Sequence, residues 1–431
     1  MTSTLDHIIF YGQSFSNGSE SVAIMDDPEP GCYMAGDPEA KGTELVPLLL
    51  GGRQNERPVV PALNALSRLM SDNAADKKEF VGSCFGAGGM SIAQLMSNMR
   101  QTEIMAERSL HYAIDDSGRW KVFTQGLQNC RAAAENAGKY IRCPAIVYMQ
   151  GERDFLSDEM LSERQGSSPR AYACGNDRAL YRKYMYRLKE DMQHEVVKAY
   201  GQPERPLFFI YQCSARFITT NQMQIVRAQQ EFAAENDDVV LLPAYYPFPH
   251  YESGHLSSNG YRWYAEYIAR ALFRAVYMQK PCSPLFVDNV RMHGGRIILR
   301  IGQAVQPLVM DAFTLPAAHQ NGFAVFSDNA EIPIDNISLC GNEIILSLKA
   351  EPPKAAQLEI CYAGLPTGGR GNIRDSAAGV SHNLYADDTA DTGQSGLSRI
   401  VYRPTDAEGN PLAGRPYPLH NWLSPFCVRI C

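Results

Sequence analysis

The sequence has no run of about 18 consecutive apolar residues, so it offers no candidate transmembrane helix. It has no Cys-x-x-Cys pair and no Cys/His cluster at zinc spacing. No Gly-Lys-Ser/Thr follows its glycine-rich stretches, which excludes a phosphate loop. Residues 1–10 lack a basic segment followed by an apolar one, so no secretory signal is visible. Internal repeats are absent too, and positive charge is not in excess. With Lys+Arg 40 against Asp+Glu 47 the net charge is −7, which argues against a nucleic-acid partner. No cofactor motif is found.

What is present is an ordinary globular composition, 45% hydrophobic and 20% charged over 431 residues, enough for two or three domains. The 11 cysteines are odd in number and scattered. They read as buried thiols in a reducing compartment rather than as a disulfide framework. The expectation is synthesis in the cytoplasm, with delivery by a phage virion or a secretion system as the other route compatible with the missing signal.

Along the chain, short apolar runs alternate with helical periodicity up to about Tyr277. Strands are expected at His7–Tyr11, Glu79–Gly82, Ala145–Met149, Leu207–Tyr211 and Val239–Leu242. Helices are expected at Ala62–Met70, Ile92–Met99, Gly126–Ala137, Asp177–Ala199, Gln222–Ala234 and Tyr261–Tyr277. This alternation predicts βαβ units and a mostly parallel sheet covered on both faces. Beyond Pro281–Pro284 the pattern changes. Gly295–Ile301, Leu308–Leu315, Phe323–Ser327, Glu331–Ser338, Glu343–Leu348 and Leu358–Tyr362 are short, β-branched and broken by turn residues, which predicts an antiparallel sandwich. The tail from Gly364 reads as an irregular covering segment that docks through Trp422 and Phe426. The expected division is residues 1–283 and 284–431.

In a parallel sheet, ligands bind beyond the carboxyl ends of the strands. Four blocks lie there. Gly12-Gln13-Ser14-Phe15-Ser16-Asn17-Gly18 follows the first strand, where a serine can present both its hydroxyl and its N–H; the alternative is a plain Ser/Asn/Gly turn. Gly82-Ser83-Cys84-Phe85-Gly86-Ala87-Gly88-Gly89-Met90 precedes a helical stretch and offers free N–H groups to an oxyanion. Gln150-Gly151-Glu152-Arg153-Asp154 ends the third strand, with an amide as a further donor and two carboxylates that are either an acid/base pair or a polar turn paired to Arg153. Glu252-Ser253-Gly254-His255 precedes the last helix, its carboxylate spaced to hold the imidazole at Nδ1.

Taken in order, these blocks resemble the SGNH (GDSL-like) hydrolase superfamily, in the carbohydrate-esterase branch that includes sialate O-acetylesterases and acetylxylan esterases. The family's Gly-Gln-Ser-Asn is similar to Gly12-Gln13-Ser14-Phe15. Its Gly-Gly-Thr is similar to Gly88-Gly89-Met90, its Gln-Gly-Glu-x-Asp is matched by Gln150 to Asp154, and its Asp-x-x-His is similar to Glu252 to His255. Phe15, Met90 and Glu252 depart from the family residues. The resemblance covers residues 6 to about 280. It implies a flavodoxin-like three-layer α/β/α domain and a serine esterase acting on an acetylated glycan or polysaccharide. Its nucleophile would be Ser14, its general base His255 and its acid Glu252. The oxyanion hole would comprise Ser14, Gly88 or Gly89, and Gln150, supported by Gln13, Glu152 and Asp154.

Two rival readings remain at this level. Gly82-Ser83-Cys84-Phe85-Gly86 fits a nucleophile elbow with Cys84 in place of serine. The β-rich third, with Trp422 and many tyrosines, suits an inactive glycan-binding or virion structural protein.

Overall fold

The computed structural model describes residues 3–430 except 25–26, 51–54, 74, 76, 110–117, 156–172, 219, 221, 329 and 353–356. Its centre is a seven-stranded sheet of β1 (Thr4–Gly12), β2 (Cys32–Ala35), β3 (Leu45–Pro47), β4 (Glu79–Cys84), β5 (Tyr140–Met149), β6 (Leu207–Gln212) and β7 (Val239–Ala244), in the order β3-β2-β4-β1-β5-β6-β7. Every pairing is parallel except β2 with β3. The runs are apolar on both faces because helices cover both. α1 (Val59–Asp72) and α6 (Ser258–Leu272) pack against each other on one side. α3 (Arg119–Asn136), α4 (Arg178–Tyr200) and α5 (Gln224–Ala234) form the other layer, and the short α2 (Asn98–Glu107) follows the second block. This is a mixed α/β fold with a large, mostly parallel sheet. No described helix is long and apolar enough to cross a membrane.

Local chemistry sets the elements. Helix α1 has Pro58 as its N-cap and Pro61 in its first turn, and it is buried on every side from Val59 to Leu66 and then only at Met70. The helix expected over Ile92–Met99 begins only at Asn98. Ser97 is extended there and its side chain caps Arg100 N–H, so 93–95 is left as a single 3₁₀ turn. The helix expected from Gly126 instead begins at Arg119. Strands β2 and β3 are too short and too mixed to show as periodicity.

The antiparallel strands are β8 (Phe286–His293), β9 (Arg296–Gly302), β10 (Val309–Met310), β11 (Phe323–Ser327), β12 (Ala330–Ile332), β13 (Ile334–Cys340), β14 (Glu343–Leu348), β15 (Leu358–Tyr362), β16 (Ile373–Arg374), β17 (Val380–Leu384), β18 (Pro416–Pro418) and β19 (Phe426–Ile430). They form two four-stranded sheets, β13-β14-β9-β8 and β12-β11-β15-β19, and two small two-stranded pairs. The run expected as one strand at Glu331–Ser338 is divided between β12 and β13, and only Val309–Met310 of the run Leu308–Leu315 is strand. Leu299, Ile301, Ile344, Phe323 and Ile360 join the same continuous apolar cluster as the parallel sheet.

The segment from Gly364 to Pro425 leaves β15 and returns as β19. It runs back over the α/β part as a strap. Helix α6 explains why it must: this helix is buried on nearly every side, including Arg262 and Glu266. The strap supplies their partners, with Arg262 donating to the Leu384 carbonyl (3.2 Å) and Glu266 accepting from Asn383 N–H (3.0 Å). Tyr417 stacks on Trp263 at 4.8 Å and 5°, and Trp422 and Phe426 are both buried.

Candidate active site

Strand β1 delivers the first block. At Gly12, φ is +139° and a Cβ would lie 2.1 Å from the Met149 carbonyl oxygen, so only glycine lets the chain leave the sheet there. Gln13 N–H then bonds back to that carbonyl at 2.9 Å, and Ser19 N–H donates to the Ser14 carbonyl at 3.0 Å, closing a tight loop. Ser14 stands at its tip, largely buried. Its Oγ lies 2.8 Å from His255 Nε2. The sequence separates these two residues by more than half the chain; the sheet brings them together at the ends of β1 and β7.

The His255 ring is held by aromatic faces. Phe15, directly after Ser14, stacks on it at 5.2 Å and 28°, and Phe217 meets it edge-on at 6.0 Å. Phe15 is backed by Tyr245 at 4.4 Å. The Phe15 side chain therefore serves as a platform for the imidazole. Gly254, with φ +98°, keeps the loop close to Phe217, since a Cβ would come within 2.9 Å of that ring.

The carboxylate at His255 Nδ1 is Glu20, at 3.1 Å. The contact is close without meeting the geometry of an aligned hydrogen bond. Catalytic hydrogen bonds of unliganded enzymes often tighten only when substrate is bound. The close approach of His255 holds the Glu20 carboxyl below its ordinary range against the opposing effect of burial, and Ser253 Oγ donates to its second oxygen. Glu20 also has a left-handed backbone, φ +72°, uncommon for a glutamate and the kind of local strain found at functional sites. Glu252, the acid expected from the sequence, is exposed. Among the described residues only its backbone is engaged: the N–H donates to the Arg399 carbonyl and the carbonyl accepts from Arg216. Three-residue spacing places it beside His255 in sequence, but the turn at Ser253-Gly254 directs its side chain outward.

Gln150 also takes a different part from the one expected. It is 1% exposed. Its Nε2 faces three acceptors: Asp154 Oδ2 at 2.6 Å, Gln13 Oε1 at 3.2 Å and the Met90 carbonyl at 3.2 Å. Its Oε1 faces the hydroxyls of Tyr148 and Tyr181 at 3.1 and 3.0 Å. An amide with two hydrogens and three protein acceptors is a clamp between three strand ends, not a free donor for an oxyanion. Gln13 Oε1 additionally accepts from Arg153 N–H at 3.2 Å. Asp154 accepts from Ile92 and Cys174 N–H groups at 2.9 and 2.7 Å. Glu152 accepts from the Tyr211 and Tyr245 hydroxyls, and burial pushes its pKa up, as it does for Asp154. These two carboxylates are buried braces below the site and not an acid/base pair at its mouth. Among the described residues, no acceptor takes the N–H of Ser14, Gly88 or Gly89, and both glycines are exposed.

Cys84 ends β4 in extended conformation, fully buried, its thiol donating to the Ser16 carbonyl at 3.1 Å. Burial pushes its pKa up. Among the described residues no strand-to-helix elbow presents this thiol; it is turned to a backbone carbonyl in the core. The thiol instead props the Ser14 loop from below.

The strap completes the site's surroundings. Gln394 N–H donates to the Glu20 carbonyl at 2.8 Å, and Val401 N–H to the His250 carbonyl at 2.8 Å. Tyr251 donates to Asp391 at 2.9 Å. Both the Glu20 turn and the loop carrying His255 are thus braced by residues 391–401. Sequence reading missed Glu20 and this bracing alike; the one local signal was the position of Glu20 two residues beyond Gly18 in the Ser14 block.

No protein-family model matches the chain, and no curated protein matches it in sequence. Solved structures do match. A carbohydrate acetylesterase from Xanthomonas citri aligns over 98% of this chain and 80% of its own, at 13% identity and a TM-score of 0.57. A family two carbohydrate esterase from Cellvibrio japonicus aligns over 64% of this chain and 62% of its own, at 11% identity and 0.33. An acetyl xylan esterase from the rumen bacterium Butyrivibrio proteoclasticus aligns over 62% and 63%, at 12% and 0.30. The first shows that this chain, β-rich part and strap included, has the fold of a carbohydrate acetylesterase; the other two are too distant to support an argument.

Proposed function

We propose that this protein is a serine esterase that removes O-acetyl groups from a carbohydrate. The observation that carries the reading is the contact of Ser14 Oγ with His255 Nε2 at 2.8 Å, with Glu20 at the far nitrogen of the same ring. An inactive glycan binder has no need of that arrangement. The likeness of fold to a carbohydrate acetylesterase supports the choice of ester and of sugar.

In this reading Ser14 Oγ bonds to the acetyl carbonyl carbon while its proton passes to His255 Nε2. Glu20 stabilises the imidazolium that forms. The oxyanion of the tetrahedral intermediate faces the Ser14 N–H and a Gly88 or Gly89 N–H; one such donor is worth about 2.7–4 kcal/mol. Collapse breaks the bond to the sugar oxygen, which leaves with the proton from His255. Water then attacks the acetyl-serine with His255 again as base, releasing acetate and restoring Ser14. Phe15 keeps the imidazole in plane throughout, and the Gln150 clamp keeps β1, the Met90 turn and the β5 end in register.

The test is hydrolysis of p-nitrophenyl acetate by wild type, Ser14→Ala and His255→Ala, followed by acetate release from a panel of acetylated glycans. Turnover by the wild type with loss in both variants is expected. Wild-type turnover no faster than Ser14→Ala would refute the reading.

A further inference from the structure

The strap is flanked by two cysteines. Cys361 is the penultimate residue of β15 and Cys427 the second residue of β19, and they are directly opposite in the antiparallel ladder. Their sulfurs lie 2.8 Å apart, both side chains buried. Directly opposed residues of an antiparallel pair have Cα atoms about 4.5–5.5 Å apart, inside the range a disulfide requires. Strand β19 is the edge of its sheet, so it can lift to admit a small oxidant.

We propose that Cys361 and Cys427 form a redox-controlled disulfide that fastens the neck of the strap and so holds the bracing of the active site in place. The partner reagent is a low-molecular-weight disulfide such as oxidised glutathione. One thiolate attacks it, displacing one glutathione thiol and leaving a mixed disulfide. The second thiolate then displaces the other glutathione, so two protein thiols are oxidised and one external disulfide is reduced. The bond closes a long loop, a sequence separation of 66 residues, and loops of that size gain most from a cross-link. Residues 391–401, which hold the Glu20 turn and the His250–Glu252 backbone, lie within that loop. The same sulfurs lie within 4.8 Å of a Glu359 carboxylate oxygen, the spacing of a metal site. Glu359, however, is already paired with Arg429 at 2.8 Å. That leaves two thiols where zinc takes four ligands.

The effect on the site rests on the proposed esterase activity; the bond itself does not. Full-length protein is incubated with oxidised glutathione or with a phosphine reductant, and remaining thiols are alkylated under denaturing conditions before peptide mapping. The expected result is a Cys361–Cys427 linked peptide only in the oxidised sample. A higher thermal transition and slower proteolysis of the strap should accompany it, and neither should respond to oxidant in Cys361→Ser or Cys427→Ser. Alkyl label on both cysteines after oxidation would overturn the proposal. So would one equivalent of zinc held by the reduced wild type and lost in Cys427→Ser, which would make the pair a metal site. p-Nitrophenyl acetate turnover, measured in parallel, is expected to survive strap proteolysis longer in the oxidised protein. Absence of turnover in either form would count against the esterase reading while leaving the linked peptide to decide the disulfide.

Discussion

Replacing Glu20 by Gln separates the acid assigned by geometry from the one suggested by sequence. The substitution keeps the shape of the side chain and removes its charge from a point 3.1 Å from His255 Nδ1. Two unit charges at that distance attract by about 5 kcal/mol at an effective dielectric of 20 and about 1.3 kcal/mol in bulk water. The Glu20 side chain is 37% exposed, so solvent screening discounts the larger figure, and about 2–3 kcal/mol is the expected loss as the imidazolium forms. At 1.36 kcal/mol per decade this is about 30- to 160-fold in kcat/KM. Glu252→Gln, by contrast, alters an exposed side chain whose backbone alone is engaged, and should stay within about twofold of wild type. Initial rates on p-nitrophenyl acetate for the two variants decide the matter. Glu20→Gln within threefold of wild type, or an equal loss in Glu252→Gln, would show that the 3.1 Å contact does no catalytic work.

Three further outcomes follow from buried groups. Cys84→Ala should keep kcat/KM within about twofold and cost about 1 kcal/mol in urea unfolding, because the thiol is a packing group; a loss of several hundredfold would restore it as nucleophile. Phe15→Ala should destabilise by about 3–5 kcal/mol, since its ring is fully buried between His255 and Tyr245; stability within 1 kcal/mol of wild type would contradict the stacking. Burial pushes the Glu266 carboxyl up to about 7. A raised folded pKa gives stability that is full below the unfolded value and is lost as pH rises through the folded one. Wild type should therefore lose about 2 kcal/mol between pH 5 and pH 7 from this group. Glu266→Gln should flatten that slope, as read by urea unfolding across the range; an unchanged slope would place the titration elsewhere.

The parts of this protein readable from its residues are those set over short distances. Strand β1 is an apolar run ended by a glycine, and α1 and α6 show helical spacing. Ser14 and His255 stand at strand ends where a parallel sheet gathers its ligand-binding residues. Helix α2 was placed six residues too early because Ser97 caps it, and a cap competes with apolar periodicity without changing it.

By itself the sequence determined the alternation of strands and helices, the change of character near residue 283, and the standing of Ser14 and His255 at strand ends, since local propensity and position at a strand end are properties of neighbouring residues. Only the tertiary structure decided the rest. A carboxylate needs to be about 3 Å from an imidazole in space and at no particular spacing in the chain, so Glu20 rather than Glu252 meets His255. The same distance rule makes the Gln150 amide a clamp with its hydrogens already committed, buries Cys84 beneath the loop it props, and brings Cys361 opposite Cys427. Such contacts depend on which strands become neighbours, and that is set by burying the whole apolar surface at once.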